Sequence, residues 1–192
     1  FQALANDADL RVVVLTGAGD KAFIGGADVK EMSIKGKEQI LAEDPLADKT
    51  HLACRQIREL AVPVIARING YCIGAGMEIA ASCDLRVGVT TATFAMPEVR
   101  FGLVSCKEAC LLPGLIGWGK TRELVLTGQY MDAQEAWRIG LLQKLVPAGE
   151  LDEAVDQWVS AICAAGPVAV REQKRLVNDW ERLSISDAIE QG

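Results

Sequence analysis

The chain has 192 residues, half of them hydrophobic, and a formal net charge of −6 at pH 7. That length and apolar content suit one domain with a core of its own and exclude a disordered chain. The acidic balance, with no cluster of Lys and Arg, argues against nucleic acid as a partner. No apolar run approaches the ~20 residues that span a bilayer, so no membrane partner is expected.

The chain opens in what reads as the end of a helix, Phe1 to Asp7, as though a segment precedes it. Leu10 to Thr16 is β-branched and nearly all apolar, the pattern of a strand buried on both faces. Gly17 to Asp20 is turn chemistry, and Ala22 to Ala27 reads as a second small-residue loop. Asp28 to Met32 opens a helix. Residues 33–49 are polar and mixed and read as a mobile surface segment. Thr50 to Leu60 is helical, with Leu52, Ile57 and Leu60 on one side. Val62 to Asn69 is the next strand, followed by a small-residue turn, Gly70 to Gly76, and a short helix, Met77 to Cys83. Leu85 to Val89 and Thr93 to Ala95 are further strands. Helices are then expected at Glu108 to Ile116, Lys120 to Thr127 and Ala133 to Ile139. A last short strand covers Gln143 to Val146. Two long amphipathic helices, Leu151 to Ala164 and Val168 to Trp180, are divided by Gly166-Pro167. Early alternation and late helices give an α/β domain with a helical C-terminal region.

The six cysteines, Cys54, Cys72, Cys83, Cys106, Cys110 and Cys163, form no C-x-x-C pair and read as buried free thiols of a reducing compartment, the cytoplasm. With His51 the only histidine, no metal site is expected. Val12 to Ala22 contains G-x-G-x-x-A after a strand, like a dinucleotide fingerprint. That mechanism needs a helix to begin at once. Gly25-Gly26 interrupts instead, so a tight strand-to-loop turn is the better reading.

Two loops carry the chemistry. One is residues 22–32, AFIGGADVKEM; the other is residues 62–86, VPVIARINGYCIGAGMEIAASCDLR, followed by Met96-Pro97-Glu98. Together they resemble the crotonase (enoyl-CoA hydratase/isomerase) family. Further similarity runs through Gly117-Trp118-Gly119-Lys120, Leu126-Thr127-Gly128, residues 131–136 and Gly140-Leu141. The resemblance implies a spiral of ββα units over residues 1–140. It implies a C-terminal helical region of the same domain at 141–192, involved in trimerisation, and homotrimers or dimers of trimers.

It also implies the site. A thioester oxygen that becomes enolate-like is stabilised by two preorganised N–H donors, each worth ~10²–10³ in rate. Here these would be Ala27 and Ala75. Glu98 would exchange the proton at the α-carbon while Glu78 holds and activates the water that adds at the β-carbon. Ala22, Gly26, Asp28, Lys30 and Gly74 join Ala27 and Ala75 as substrate- and CoA-binding positions; Asp28 taken alone is a helix cap. The implied activity is hydration of a trans-2-enoyl-CoA without a metal or redox cofactor, coenzyme A being part of the substrate. Double-bond isomerisation and a catalytically weak acyl-CoA-binding homologue are the alternatives. The chain departs from the family in Gly102 to Glu108, where a proline-glycine run is common. Glu108 is there read as a surface helix position, with a third acidic group as the alternative.

Overall fold

The structure, a computed structural model, describes residues 1–26, 45–105 and 107–191. A one-turn helix α1 (Gln2–Ala5) leads into β1 (Val13–Thr16) and β2 (Ala22–Ile24). Helix α2 (Pro45–Glu59) is followed by β3 (Val64–Ile68), β4 (Tyr71–Ile73) and α3 (Ala75–Ser82). Next come β5 (Leu85–Val89) and β6 (Thr93–Ala95), then two 3₁₀ turns, Glu98–Phe101 and Lys107–Leu111. Helix α4 (Leu112–Thr127), β7 (Tyr130–Asp132), α5 (Ala133–Arg138) and β8 (Lys144–Val146) precede the C-terminal helices α6 (Leu151–Ala164), α7 (Pro167–Trp180) and α8 (Ile185–Gln191).

The strands form two four-stranded sheets, ordered β1-β3-β5-β8 and β2-β4-β6-β7. Each consecutive pair, β1–β2, β3–β4 and β5–β6, therefore puts its first member in one sheet and its second in the other. Pairing is parallel throughout except between β6 and β7. Repeating that step with a helix between is the ββα spiral that the resemblance implies. Asn69 joins successive corners. Its Nδ2 donates to the Gly17 and Gly19 carbonyls at 3.1 and 2.8 Å, and its Oδ1 accepts the Gly17 N–H at 3.2 Å. The G-x-G turn is thus a corner leading into a strand, with no helix to meet a pyrophosphate.

Several expectations are corrected. Strand β1, at the edge of its sheet, alternates half-buried and exposed positions, so only one of its faces is covered. Ala22–Ile24 and Tyr71–Ile73, read as loop and turn, are strands that pair with each other. Helix α2 begins at Pro45, inside the stretch read as a surface segment, and Pro suits a first helical turn. Helix α4 kinks at Gly117, whose dihedrals are not helical, between the two helices expected there, and the first of these starts at Leu112, residues 108–111 belonging to the second 3₁₀ turn. Cys54, Cys72 and Cys83 are buried as expected, whereas Cys110 and Cys163 are exposed. The helix expected at Asp28 to Met32, and Cys106, lie outside the described residues.

The core gathers on β3 and β5, with Ile57, Ile65, Ile68, Met77, Phe94, Met96 and Leu141 fully enclosed. Two buried cations brace it. Arg86 donates to the Ala80 and Cys83 carbonyls at 3.3 and 2.6 Å and to the Leu141 carbonyl at 2.8 Å. It thereby places positive charge at the C-terminal end of α3, where the helix dipole favours it. Lys174 of α7 donates to the Ile57 and Val62 carbonyls and, at 2.7 Å, to Asp84, which also accepts the Val64 N–H. Breaking a buried pair leaves an uncompensated charge. Lys174→Met keeps the aliphatic stem but strands Asp84 and two carbonyls. It should lower unfolding stability by about 2–4 kcal/mol, read as an earlier urea midpoint; a change below about 0.5 kcal/mol would refute this account of how α7 is held.

Candidate active site

The site forms where β4 turns into α3. Gly74 holds φ 54° and ψ −116°, a conformation that an L side chain rarely adopts. A Cβ there would lie 2.7 Å from Glu98 Oε1, so the carboxylate occupies the space the glycine leaves open. The Gly74 N–H donates to the Ala95 carbonyl of β6 at 2.9 Å, and the Gly74 carbonyl closes the first turn of α3 by accepting from Met77 and Glu78. Ala75 follows as the first residue of α3. Its N–H has no intrahelical carbonyl to bond and sits at the positive end of the helix dipole.

The second loop comes alongside. A Cβ on Gly76 would fall 2.3 Å from the Ile24 carbonyl, and one on Gly26 (φ 90°) would fall 3.1 Å from the Ile73 carbonyl. The end of β2 thus runs directly against the start of α3. Gly26 is beside the Gly74 turn, whereas Ala22 lies at the far end of β2, paired with Tyr71. Ala27, Asp28 and Lys30 lie outside the described residues.

Both sequence-derived glutamates converge on this turn. Glu98 begins the first 3₁₀ turn, which Gly102 (φ 72°) closes, and its Oε2 accepts a hydrogen bond from Ser105 Oγ at 2.9 Å. Glu78, in the first turn of α3, is half-buried. Burial pushes its carboxyl up to about 7; the nearby charges of Glu108 and Glu98 add to the rise, while the Ala109 N–H and Lys107 oppose it. A carboxyl poised near neutrality exchanges a proton readily at physiological pH.

Glu108 corrects the sequence reading. It is buried, not on the surface, on the turn Lys107–Leu111, and its Oε1 is bonded to His51 Nδ1 of α2. The site therefore holds three acidic groups. Ser105 and His51 were not singled out for it from sequence. Ser105 lies in the segment that departs from the family, which was the available signal. His51 is 57 positions from Glu108 and had none.

A family model described as enoyl-CoA hydratase/isomerase matches residues 1–190. Short-chain-enoyl-CoA hydratase of Clostridium acetobutylicum is 36% identical over 191 residues, covering 97% of this chain and 70% of that protein. Crotonyl-CoA hydratase of Syntrophomonas wolfei is 34% identical over 188 residues, covering 97% and 71%. Among solved structures, an enoyl-CoA hydratase from Bacillus anthracis superposes with a TM-score of 0.91 at 33% identity, covering 98% of this chain and 72% of that one. One from Mycobacterium smegmatis gives 0.90 at 31%, covering 98% and 72%. With a family model matched over residues 1–190 and the fold of these solved structures, the chain belongs to the enoyl-CoA hydratase/isomerase family, the crotonase superfamily.

Proposed function

We propose that the protein is an enoyl-CoA hydratase, which adds water across the 2,3-double bond of a trans-2-enoyl-CoA thioester. The observation that carries this reading is the convergence of Glu78 and Glu98 on the Gly74 turn, beside the Ala75 N–H. The hydratase names of the relatives support the same reaction.

In this scheme the thioester oxygen accepts from the Ala75 N–H and, from the other loop, the Ala27 N–H. Such donors act on charge that develops in the transition state. Water is held between the two carboxylates. Glu78 takes a proton as the water oxygen bonds to the β-carbon, and Glu98 delivers a proton to the α-carbon as the enolate collapses. The proton that Glu98 gives is made good by the one that Glu78 takes, which passes between the two carboxylates, so each turnover adds the atoms of one water and no metal or redox cofactor takes part. The scheme assigns Gly26, Ala27, Asp28 and Lys30 to the CoA side of the site. Ala22, at the far end of β2, is kept as a more distant contact of the same side. A homotrimer or dimer of trimers, built in part by residues 141–192, completes the proposal. Ile185 and Ile189 of α8, each more than 70% exposed, are available to such an interface.

Isomerisation is the second reading, because it needs one well-placed carboxylate and Glu98 Oε1 fills the space over Gly74. The two readings separate on Glu78. With crotonyl-CoA, Glu98→Gln and Glu78→Gln should each lower the rate of hydration by about 10²–10⁴, with KM little changed. An isomerase would keep most of its double-bond migration in Glu78→Gln. Hydration within tenfold of wild type in Glu98→Gln would end both readings.

The raised Glu78 carboxyl has a thermodynamic consequence. The folded chain holds this proton up to about 7, against 4.5 for an unperturbed carboxyl. The stabilisation it confers is therefore complete below about 4.5 and is lost as pH rises through about 7. Glu78→Gln removes the buried charge at every pH. Its melting temperature should exceed that of wild type by several degrees at pH 8, with the gap closing towards pH 5 in calorimetry. An equal gap at both pH values would refute the burial account.

A further inference from the structure

A third carboxylate stands behind Glu78. The turn Lys107–Leu111 packs on α3 and α2, and it buries Glu108 to 8% exposure. His51 of α2, itself 44% exposed at its side chain, holds the Glu108 carboxylate through Nδ1. The next residue, Ala109, donates its N–H to the Glu78 carboxylate. Lys107, just before, has φ 53°, a left-handed value in a residue with a Cβ. Strain of that kind persists only where the surroundings over-determine it. Here it sets the direction of the turn that presents both the Glu108 side chain and the Ala109 N–H towards α3.

The groups that act on Glu78 come from three elements. Glu98 acts from the first 3₁₀ turn, and Glu108 and Lys107 from the second. From α2, His51 acts through Glu108, and the buried Cys54 thiol feels the charges of both Glu108 and Glu78. A carboxylate enclosed this way, with one partner that is partly open to solvent, does more than satisfy packing. An apolar side chain would fill the same space without placing a charge behind the water-activating group.

We propose that the His51–Glu108 pair is a positioning device that acts through Glu78, fixing the direction of its carboxylate and its hold on the proton during water addition. This rests on the hydratase reading. Glu108 lies against α3 rather than at the Gly74 turn, so it is not assigned contact with the substrate. Like charge favours the protonated form of Glu78. Neutralising Glu108 must therefore release the Glu78 proton at lower pH.

The test uses the full chain, with carboxyl carbon NMR titration of Glu78 in the absence of substrate and pH profiles of kcat/KM for crotonyl-CoA. The Glu78 resonance is assigned by its loss in Glu78→Gln. In Glu108→Gln the Glu78 midpoint should fall by at least about half a unit, and the acid limb of kcat/KM should move with it. Glu108→Asp, which keeps the charge, should hold the midpoint near that of wild type. His51→Gln, which frees the carboxylate without removing it, should lower kcat several-fold with KM changed less than twofold. If Glu108→Gln does not fold, as judged by near-ultraviolet circular dichroism, the titration and kcat of His51→Gln decide. A Glu78 midpoint that stays within about 0.2 unit in folded Glu108→Gln would overturn the proposal, whatever the activity. A wild-type chain that hydrates no enoyl-CoA would instead overturn the hydratase reading, and the NMR titration would still decide the pair's hold on Glu78.

Discussion

The rest of the structure depends on the conformation of Gly74. One residue ends β4, bonds across to β6, closes the first turn of α3 and leaves room for a carboxylate. No residue with a Cβ can do all four, because φ 54° is strained for an L side chain and the vacated space already holds Glu98 Oε1. Strands β4 and β6, paired in the second sheet, both end at this point, so that sheet and the site share one constraint. Strand β4 must stop where it does for α3 to begin beside Glu98. Strand β6 must reach Ala95 for Glu98 to follow within three residues.

Around that turn the molecule concentrates charge that it would be more stable without. Burial penalises the charge of Glu78 in the first turn of α3, and the nearby carboxylates of Glu108 and Glu98 add to that penalty. The helix dipole and the Ala109 N–H offset part of this. The remainder is carried by the frame. Arg86 holds the opposite end of α3 through its terminal carbonyls, and Lys174 ties α7 to Asp84 and to the segment between α2 and β3.

Much of the frame was legible in the sequence, and the reasons are physical. Leu151–Ala164 was read to the residue because its amphipathic period runs over four turns and Gly166-Pro167 ends it. Strands β3 and β5 were read because they are central and apolar on both faces. The second sheet was largely missed. Ala22–Ile24, Tyr71–Ile73 and Tyr130–Asp132 are three residues each, too short for a period to show. They are strands because neighbours supply the hydrogen bonds, a tertiary effect with little local signature.

The site divides the same way. Glu78 and Glu98 could be named because they sit in motifs that resemble a family. Glu108 could not be given its true place, since its burial depends on an α2 residue 57 positions away. The one local hint was negative: Gly102 to Glu108 does not follow the family run. In the structure that departure delivers Ser105 to Glu98 and Glu108 to His51. Each of the two glutamates expected to do chemistry is thereby touched from the same unusual loop. Glu98 is touched by a hydroxyl donor. Glu78 is touched by the N–H of Ala109 and the charge of Glu108. A loop that departs from its relatives and yet engages both carboxylates is better explained as a change in how the site is tuned than as a loss of it.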